Sequence, residues 1–359
     1  MLAALCPRAN GLAPADATAY LSIMATVAPP QSDMLVDRYG RRISYLRISV
    51  TDRCDFRCRY CMAEEMTFLP RAEILSLEEI ATIADRFVAR GVDRIRLTGG
   101  EPLARRGMAA LARSIGANLG HGLSELTMTT NGSRLAEAAP ELVAAGMKRI
   151  NVSLDSLDRE RFAWITRRDR LDDVLEGIMA AREAGLAIKI NMVALAGVNE
   201  DEIVPMLRWC GAHGLDLSLI ETMPLGRIDE ERRDRFLPLT RVREEIERHF
   251  ALLPTQHRTG GPSRYSLVEP LGVRLGFISP LTNNFCDSCN RVRLTTNGHL
   301  YMCLGQEDRV DLKTALREGG VDALDAAIDQ AMAAKPRRHE FDIDRERPAV
   351  SRHMSVTGG

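Results

Sequence analysis

Between residue 45 and about residue 250, short apolar runs rich in β-branched residues alternate with longer stretches in which apolar positions return every three or four residues. The short runs occupy 45–50, 94–97, 126–129, 149–154, 188–193 and 217–220, which predicts six strands. Between the first two, Leu77, Ile80, Ala81, Ala84, Phe87 and Val88 keep helical spacing, with Ser76 placed to cap the helix start and Gly91 to stop it. The same order repeats after each later strand, so the expected class is α/β with parallel strands. Six units are too few to close an eight-stranded barrel, so the expectation is a partial (βα)6 TIM-like barrel or a doubly wound sheet, either way with its chemistry at the C-terminal strand ends. Beyond residue 250 Pro and Gly punctuate the chain, strand-like patterns fall at 265–268 and 273–278, and a helical pattern runs near 321–333. This predicts a smaller α+β extension packed on the open barrel, ending in a flexible tail at 355–359 that closes on two glycines.

Residues 1–34 follow neither period. They are rich in alanine, carry only Arg8 ahead of Asp16 and reach Pro29-Pro30, without the basic segment and unbroken apolar run of a secretory signal. They are expected to be a leader, either disordered or a misassigned start with Met24 or Met34 as the true one, and their composition leaves a weak organellar presequence open. The chain thus divides into a leader (1–34), a core barrel (35–250) and a C-terminal domain (251–359). With 45% hydrophobic residues in 359, it has the material for a large core. The 48 basic and 49 acidic residues leave a net charge of -1, which draws the chain to neither nucleic acid nor an anionic membrane, so any phosphate recognition must be local. No stretch reaches the roughly 18 consecutive apolar residues of a membrane helix.

The cysteines change the picture most. Of eight, at 6, 54, 58, 61, 210, 286, 289 and 303, six fall into two compact groups. Without an export signal the expected compartment is the reducing cytoplasm, where clustered thiols act as ligands rather than bridges. Cys210 belongs to an apolar helical pattern and Cys6 to the leader, so both read as structural or incidental.

Cys54, Cys58 and Cys61 form CxxxCxxC in the loop after the first predicted strand. Three soft thiolates so close can hold three irons of a cubane and leave the fourth open for chemistry. Zinc is the competing reading, but a fourth local Cys or His is missing. The spacing, with Tyr60 directly before the last cysteine, resembles the signature of the radical S-adenosylmethionine superfamily. Leu97-Thr98-Gly99-Gly100-Glu101-Pro102 after the second strand resembles its GGEP motif, and Asn151-Val152-Ser153-Leu154-Asp155 ends the fourth strand. The resemblance implies a core barrel of the radical S-adenosylmethionine type. It also implies that the open iron chelates the methionyl group of S-adenosylmethionine, that Gly100 meets its amino group and that Ser153 reaches its ribose or carboxylate.

Cys286, Cys289 and Cys303 form a second incomplete set. Electron-relay clusters normally have four protein ligands, so a second open iron points to a bound group, such as substrate. Between its last two cysteines stands Asn290-Arg291-Val292-Arg293, whose alternation puts both arginines on one face if the segment is extended, a local anion site. Together with Thr129 to Gly132 (TTNG), Asn151 to Ser156 (NVSLDS) and the terminal Gly358-Gly359, these residues resemble the GTP 3',8-cyclase family of molybdenum cofactor biosynthesis, from about residue 35 to the C-terminus.

That resemblance implies two [4Fe-4S] clusters, and a deoxyadenosyl radical that takes the ribose 3' hydrogen of GTP so that C3' joins C8. It implies GTP contacts from Arg47, Arg96, Thr129, Lys189, Arg291, Val292 and Arg293, and cofactor contacts from Tyr60, Gly100, Ser153 and Met223. Arg291, Arg293, Gly358 and Gly359 are implied at the reacting centre, with the glycine tail threaded inward. The implied partners are an external electron donor, a second copy of the chain, and cyclic pyranopterin monophosphate synthase as consumer of the product. A radical enzyme that modifies peptides, with an auxiliary cluster at the second triad, is the alternative, but such enzymes usually carry more C-terminal cysteines. An electron carrier or zinc-binding module would not need six βα units.

Overall fold

The computed structural model describes residues 34–226, 228, 232–344 and 348–358; the expectations for the leader up to residue 33, for Cys6 and for Gly359 lie outside the described residues. The six expected strands form as β1 (Tyr45–Ser49), β2 (Arg94–Thr98), β3 (Glu125–Thr130), β4 (Arg149–Ser153), β5 (Ala187–Ala194) and β6 (Asp216–Glu221), each parallel to the next. Helices follow them and cover the outer face. The first, Leu77–Ala89, begins on a capping box: the Ser76 hydroxyl accepts the Glu79 N–H at 3.1 Å and the Glu79 carboxylate accepts the Ser76 N–H at 2.7 Å. It ends before Gly91, whose φ of 86° suits glycine, and buries Ile80, Ile83, Phe87 and Val88 against the sheet. Each such side chain contributes roughly 1.5–3 kcal/mol.

The extension adds β7 (Ala251–Pro254), β8 (Arg264–Glu269), β9 (Val273–Ile278), β10 (Arg291–Leu294), β11 (His299–Tyr301) and β12 (Arg309–Asp311). Rather than packing only against the barrel, it completes its edges: β9 pairs parallel with β6, and β10 pairs parallel with β1. The sheet order is β12-β11-β10-β1-β2-β3-β4-β5-β6-β9-β8-β7, so eight parallel strands run from β10 to β9, with antiparallel hairpins outside both. The fold is a partly open barrel with a C-terminal extension. Alternation separates two faces: Leu46, Ile48, Ile95, Leu97, Ile150, Val152, Ile190 and Val292 enter the hydrophobic core under the helices, while Arg47, Arg96, Asn151, Lys189 and Arg293 face the interior. The C-terminal helix starts at Leu312, earlier than its apolar pattern indicates. Asp311 caps it by accepting the Thr314 N–H, and a kink at Gly320 (φ 67°) breaks the periodicity that marks only the second half.

Candidate active site

The loop after β1 carries Cys54, Cys58 and Cys61 and is clamped from three sides. Asp55 accepts bonds from Asn131 Nδ2 and Ser133 Oγ, both at 2.7 Å, and from Arg170 Nη1 at 3.2 Å. Burial alone would raise its carboxyl, but the bonds from Ser133 and Asn131 outweigh burial and hold it below the usual range. Tyr60 donates to Asp155 Oδ2 at 2.7 Å, and Asp155 Oδ1 accepts the Val193 N–H at 2.8 Å, which ties the cysteine loop to β4 and β5. Burial pushes Asp155 up to about 6. Glu101 is fully buried and pushed up to about 7 by burial; it accepts from Leu103 N, Thr130 Oγ1 and Asn131 N at 2.7–3.0 Å, joining the β2 and β3 loops. Gly100 lies against the cysteine loop so closely that a Cβ would stand 2.3 Å from the Arg53 carbonyl oxygen, so close packing by itself demands glycine there.

Cys286, Cys289 and Cys303 gather on the opposite side, around β10. Arg41 Nη1 donates to the Cys286 carbonyl at 2.7 Å, and Lys335, 1% exposed, donates from Nζ to the Arg291 carbonyl at 3.0 Å and lies 3.8 Å from Cys289 Sγ. Burial raises thiols in both triads, Cys286 and Cys303 of the second included, and Cys289 is the exception. Burial raises Cys54 to about 12 and Cys58 well above its ordinary value, whereas at Cys289 the Lys335 and Arg291 charges outweigh burial and hold the thiol low. All six thiols line one chamber that is partly open to solvent. In a cubane each thiolate meets a different iron, so ligands stand around a cube instead of around one ion. Among the described residues no three His, Cys, Asp or Glu groups converge on a single ion. The donor sets, three thiols each on one large chamber, fit [4Fe-4S] clusters with an open iron.

Between the triads the barrel interior is cationic. Register sets Arg47 beside Arg293 on β10 and beside Arg96 on β2, and sets Thr129, Asn151 and Lys189 side by side across β3, β4 and β5. Arg47, Arg96, Lys189, Arg291 and Arg293 are only 4–8% exposed. Among the described residues no carboxylate pairs with Arg96, Lys189, Arg291 or Arg293. Burial followed by the neighbouring Arg293 and Arg96 charges lowers Arg47, and burial followed by Arg291 lowers Arg293 to about 10. Lys189, lowered to about 8 by burial, donates to Tyr265 Oη at 3.2 Å. The donors Arg96 Nε, Arg291 Nε, Thr129 Oγ1 and Asn151 Nδ2, and the acceptor Asn191 Oδ1, are buried without a protein partner. Uncompensated buried cations beside orphaned donors are costly unless a polyanion enters.

Arg47, Tyr60, Arg96, Gly100, Thr129, Ser153, Lys189, Met223, Arg291 and Arg293 all line this chamber. Val292 does not; its side chain is fully buried in the core on the other face of β10, so only its backbone can reach a ligand. Met354 and Ser355 of the tail line the chamber as well, and Gly358 borders it, its carbonyl accepting from Arg293 Nη1 at 2.9 Å. The sequence reading missed Asn191, Asp155 as the anchor of Tyr60, and Tyr265 as the partner of Lys189. Asn191 was available from the alternation of β5 two residues past Lys189, whereas Tyr265 meets Lys189 only through the fold.

Residues 48–210 match the radical SAM superfamily, and residues 215–341 match the family described as Molybdenum Cofactor Synthesis C. A GTP 3',8-cyclase of Erythrobacter litoralis is 58% identical over 327 residues, 90% of this chain and 98% of the relative. A protein of the same name from Rhodopseudomonas palustris is 56% identical over 341 residues, 93% of this chain and 99% of the relative. Among solved structures, Streptococcus suis SuiB bound to S-adenosylmethionine shares the fold with a TM-score of 0.54 at 14% identity, over 89% of this chain and 78% of that one.

Proposed function

The chain belongs to the GTP 3',8-cyclase family of radical S-adenosylmethionine enzymes, and from that premise we propose how its residues divide the work. It is a lyase of molybdenum cofactor biosynthesis that converts GTP to its 3',8-cyclo-7,8-dihydro form with [4Fe-4S] clusters and S-adenosylmethionine. Cys54, Cys58 and Cys61 hold the first cluster, and Cys286, Cys289 and Cys303 the second. When bound, the first supplies the electron that cleaves S-adenosylmethionine and the second offers an open iron to guanine. Tyr60, the Gly100 backbone, Ser153 and Met223 hold S-adenosylmethionine beside the first triad. Arg47, Arg96, Lys189, Arg291 and Arg293 neutralise the triphosphate, while Thr129 and the Val292 backbone orient the nucleoside. Arg291, Arg293 and the tail that carries Gly358 act at the reacting centre. Residues 35–250 thus hold the cofactor and contribute Arg47, Arg96, Thr129 and Lys189 to the nucleotide site, which the C-terminal domain completes with Arg291 and Arg293.

The observation that carries this division is that buried Arg96, Lys189, Arg291 and Arg293 have no carboxylate partner among the described residues, in a chain whose net charge is -1. The described residues contain no helix long and apolar enough to cross a membrane, and we place the protein in the cytoplasm on the reducing environment that its thiols require. An external reductant, a homodimeric state and cyclic pyranopterin monophosphate synthase as the next enzyme complete the proposal. The likeness to SuiB is one of fold, so no observation favours a peptide substrate. Titration of anaerobically reconstituted protein with GTP, GMP and guanosine tests the division. Affinity should climb steeply with phosphate number; equal affinity for guanosine and GTP would remove the cationic row from the site.

A further inference from the structure

Gly358 meets Arg293 at the edge of the chamber only if something holds the segment before it. The tail enters as one helical turn, Met354–Thr357, too short to stand alone, with Ser355 and Thr357 buried. Gly358 follows at φ 74°, so close to β2 that a Cβ would stand 2.1 Å from Thr98 Cγ2. Just upstream lies Arg352, 8% exposed. Its Nη1 pairs with Glu307 at 2.8 Å, and its Nη2 donates to the carbonyls of Cys303, at 3.2 Å, and Leu304. The guanidinium carbon also stands 4.1 Å from the centroid of the Tyr301 ring. Glu307 accepts the Ser351 N–H at 2.7 Å and its hydroxyl at 3.1 Å as well. All these partners belong to one short segment, 301–307, and that segment carries the third thiol of the second triad.

We propose that Arg352 is a positioning residue that ties the C-terminal tail to the loop bearing Cys303, so that order at the second triad and the seating of Gly358 are coupled. The inference rests on the proposed role of Cys303 as a cluster ligand and of Gly358 at the edge of the substrate chamber. The rigid fork of a guanidinium bonds two successive carbonyls and a carboxylate at once, which it can do only while the loop presents them in fixed positions. Ligation at Cys303 Sγ fixes that loop. Two further holds on the tail flank Arg352: the Gly226 N–H donates to the Val350 carbonyl at 3.1 Å ahead of it, and Arg293 Nη1 donates to the Gly358 carbonyl at 2.9 Å at the far end. The Arg352 cluster of bonds lies between them and is the one that joins the tail to the loop carrying Cys303.

The test is hydrogen exchange of the 353–358 amides, measured anaerobically and without nucleotide, on cluster-free and on reconstituted protein. Wild-type protein, Arg352→Ala, Arg352→Lys and Glu307→Ala are compared; the last cuts the anchor from the body side at a half-exposed residue. Loss of hydrogen bonds from a charged donor should raise tail opening roughly 10- to 100-fold. Reconstitution should slow exchange of the wild-type tail. Arg352→Ala and Glu307→Ala should exchange faster and lose most of the difference between the two forms, with Arg352→Lys between. A tail that exchanges alike in wild type and both alanine variants, or a reconstitution effect undiminished by Arg352→Ala, overturns the coupling. Because no nucleotide is present, a failure of GTP recognition, read separately by titration, leaves this measurement intact.

Discussion

Replacing Arg291 by methionine removes one charge from the cationic row while keeping most of its stem, and two opposing effects should follow. In the nucleotide-free protein Arg291 and Arg293 stand two residues apart on β10, about 7 Å along the strand. At an effective dielectric of about 20 such a pair repels by roughly 2 kcal/mol. Arg291 is 8% exposed, its Nε has no protein partner, and its guanidinium carbon is 5.3 Å from the Phe285 ring centroid. Little that stabilises the empty fold is lost, so Arg291→Met should unfold at the same temperature or higher. Nucleotide binding loses a charge-assisted bond of about 1.5–3 kcal/mol, a Kd roughly 10- to 150-fold weaker. The assay is calorimetric titration of reconstituted protein with GTP, beside iron and sulfide counts that show both clusters present. A Kd within twofold of wild type would refute the reasoning, and a large fall in thermal stability would mean that Arg291 serves the fold instead.

Cys54→Ser should abolish S-adenosylmethionine cleavage, whereas Cys289→Ser should retain uncoupled cleavage but form no cyclised nucleotide; full activity of both variants, by product chromatography, would sink the division between triads. Gly358→Ala would set a Cβ 2.1 Å from Thr98 Cγ2 at a φ of 74° and should expel the tail, with at least a tenfold loss of product per deoxyadenosine formed; an unchanged ratio contradicts that placement. Burial lowers Lys189 to about 8, so its ammonium is lost as pH rises through that value in the free protein. A bound phosphate favours the ammonium, so GTP affinity should weaken by up to about tenfold per unit above pH 8, and Lys189→Arg should flatten that slope over the same range. A wild-type slope that persists in Lys189→Arg assigns the titration elsewhere.

The six core strands were legible because each inner–outer alternation sits between helical periods. Their observed bounds depart from the expected runs by only one or two residues, as at β3 (Glu125–Thr130). Pairing was not legible: β10 joins β1 from more than 200 residues away, and periodicity carries no partner information. Exposed β7, with Pro254, and three-residue β11 and β12 give too little pattern to read. Val292 shows a signal overridden. The same alternation that puts Arg291 and Arg293 inside turns its side chain into the core, although resemblance had grouped it with the nucleotide contacts. Lys335 and Arg352 stand in no motif, and only folding brings them to the second triad.

The central claim is that GTP is the substrate whose arrival turns S-adenosylmethionine cleavage into cyclisation. Reconstituted protein with dithionite and S-adenosylmethionine, given GTP, ATP or no nucleotide without oxygen, tests it by quantifying 5'-deoxyadenosine and nucleotide products together. Strong stimulation by GTP alone, with a 3',8-cyclised nucleotide formed alongside, is the predicted result. Cleavage indifferent to GTP, with no cyclised nucleotide, would contradict it.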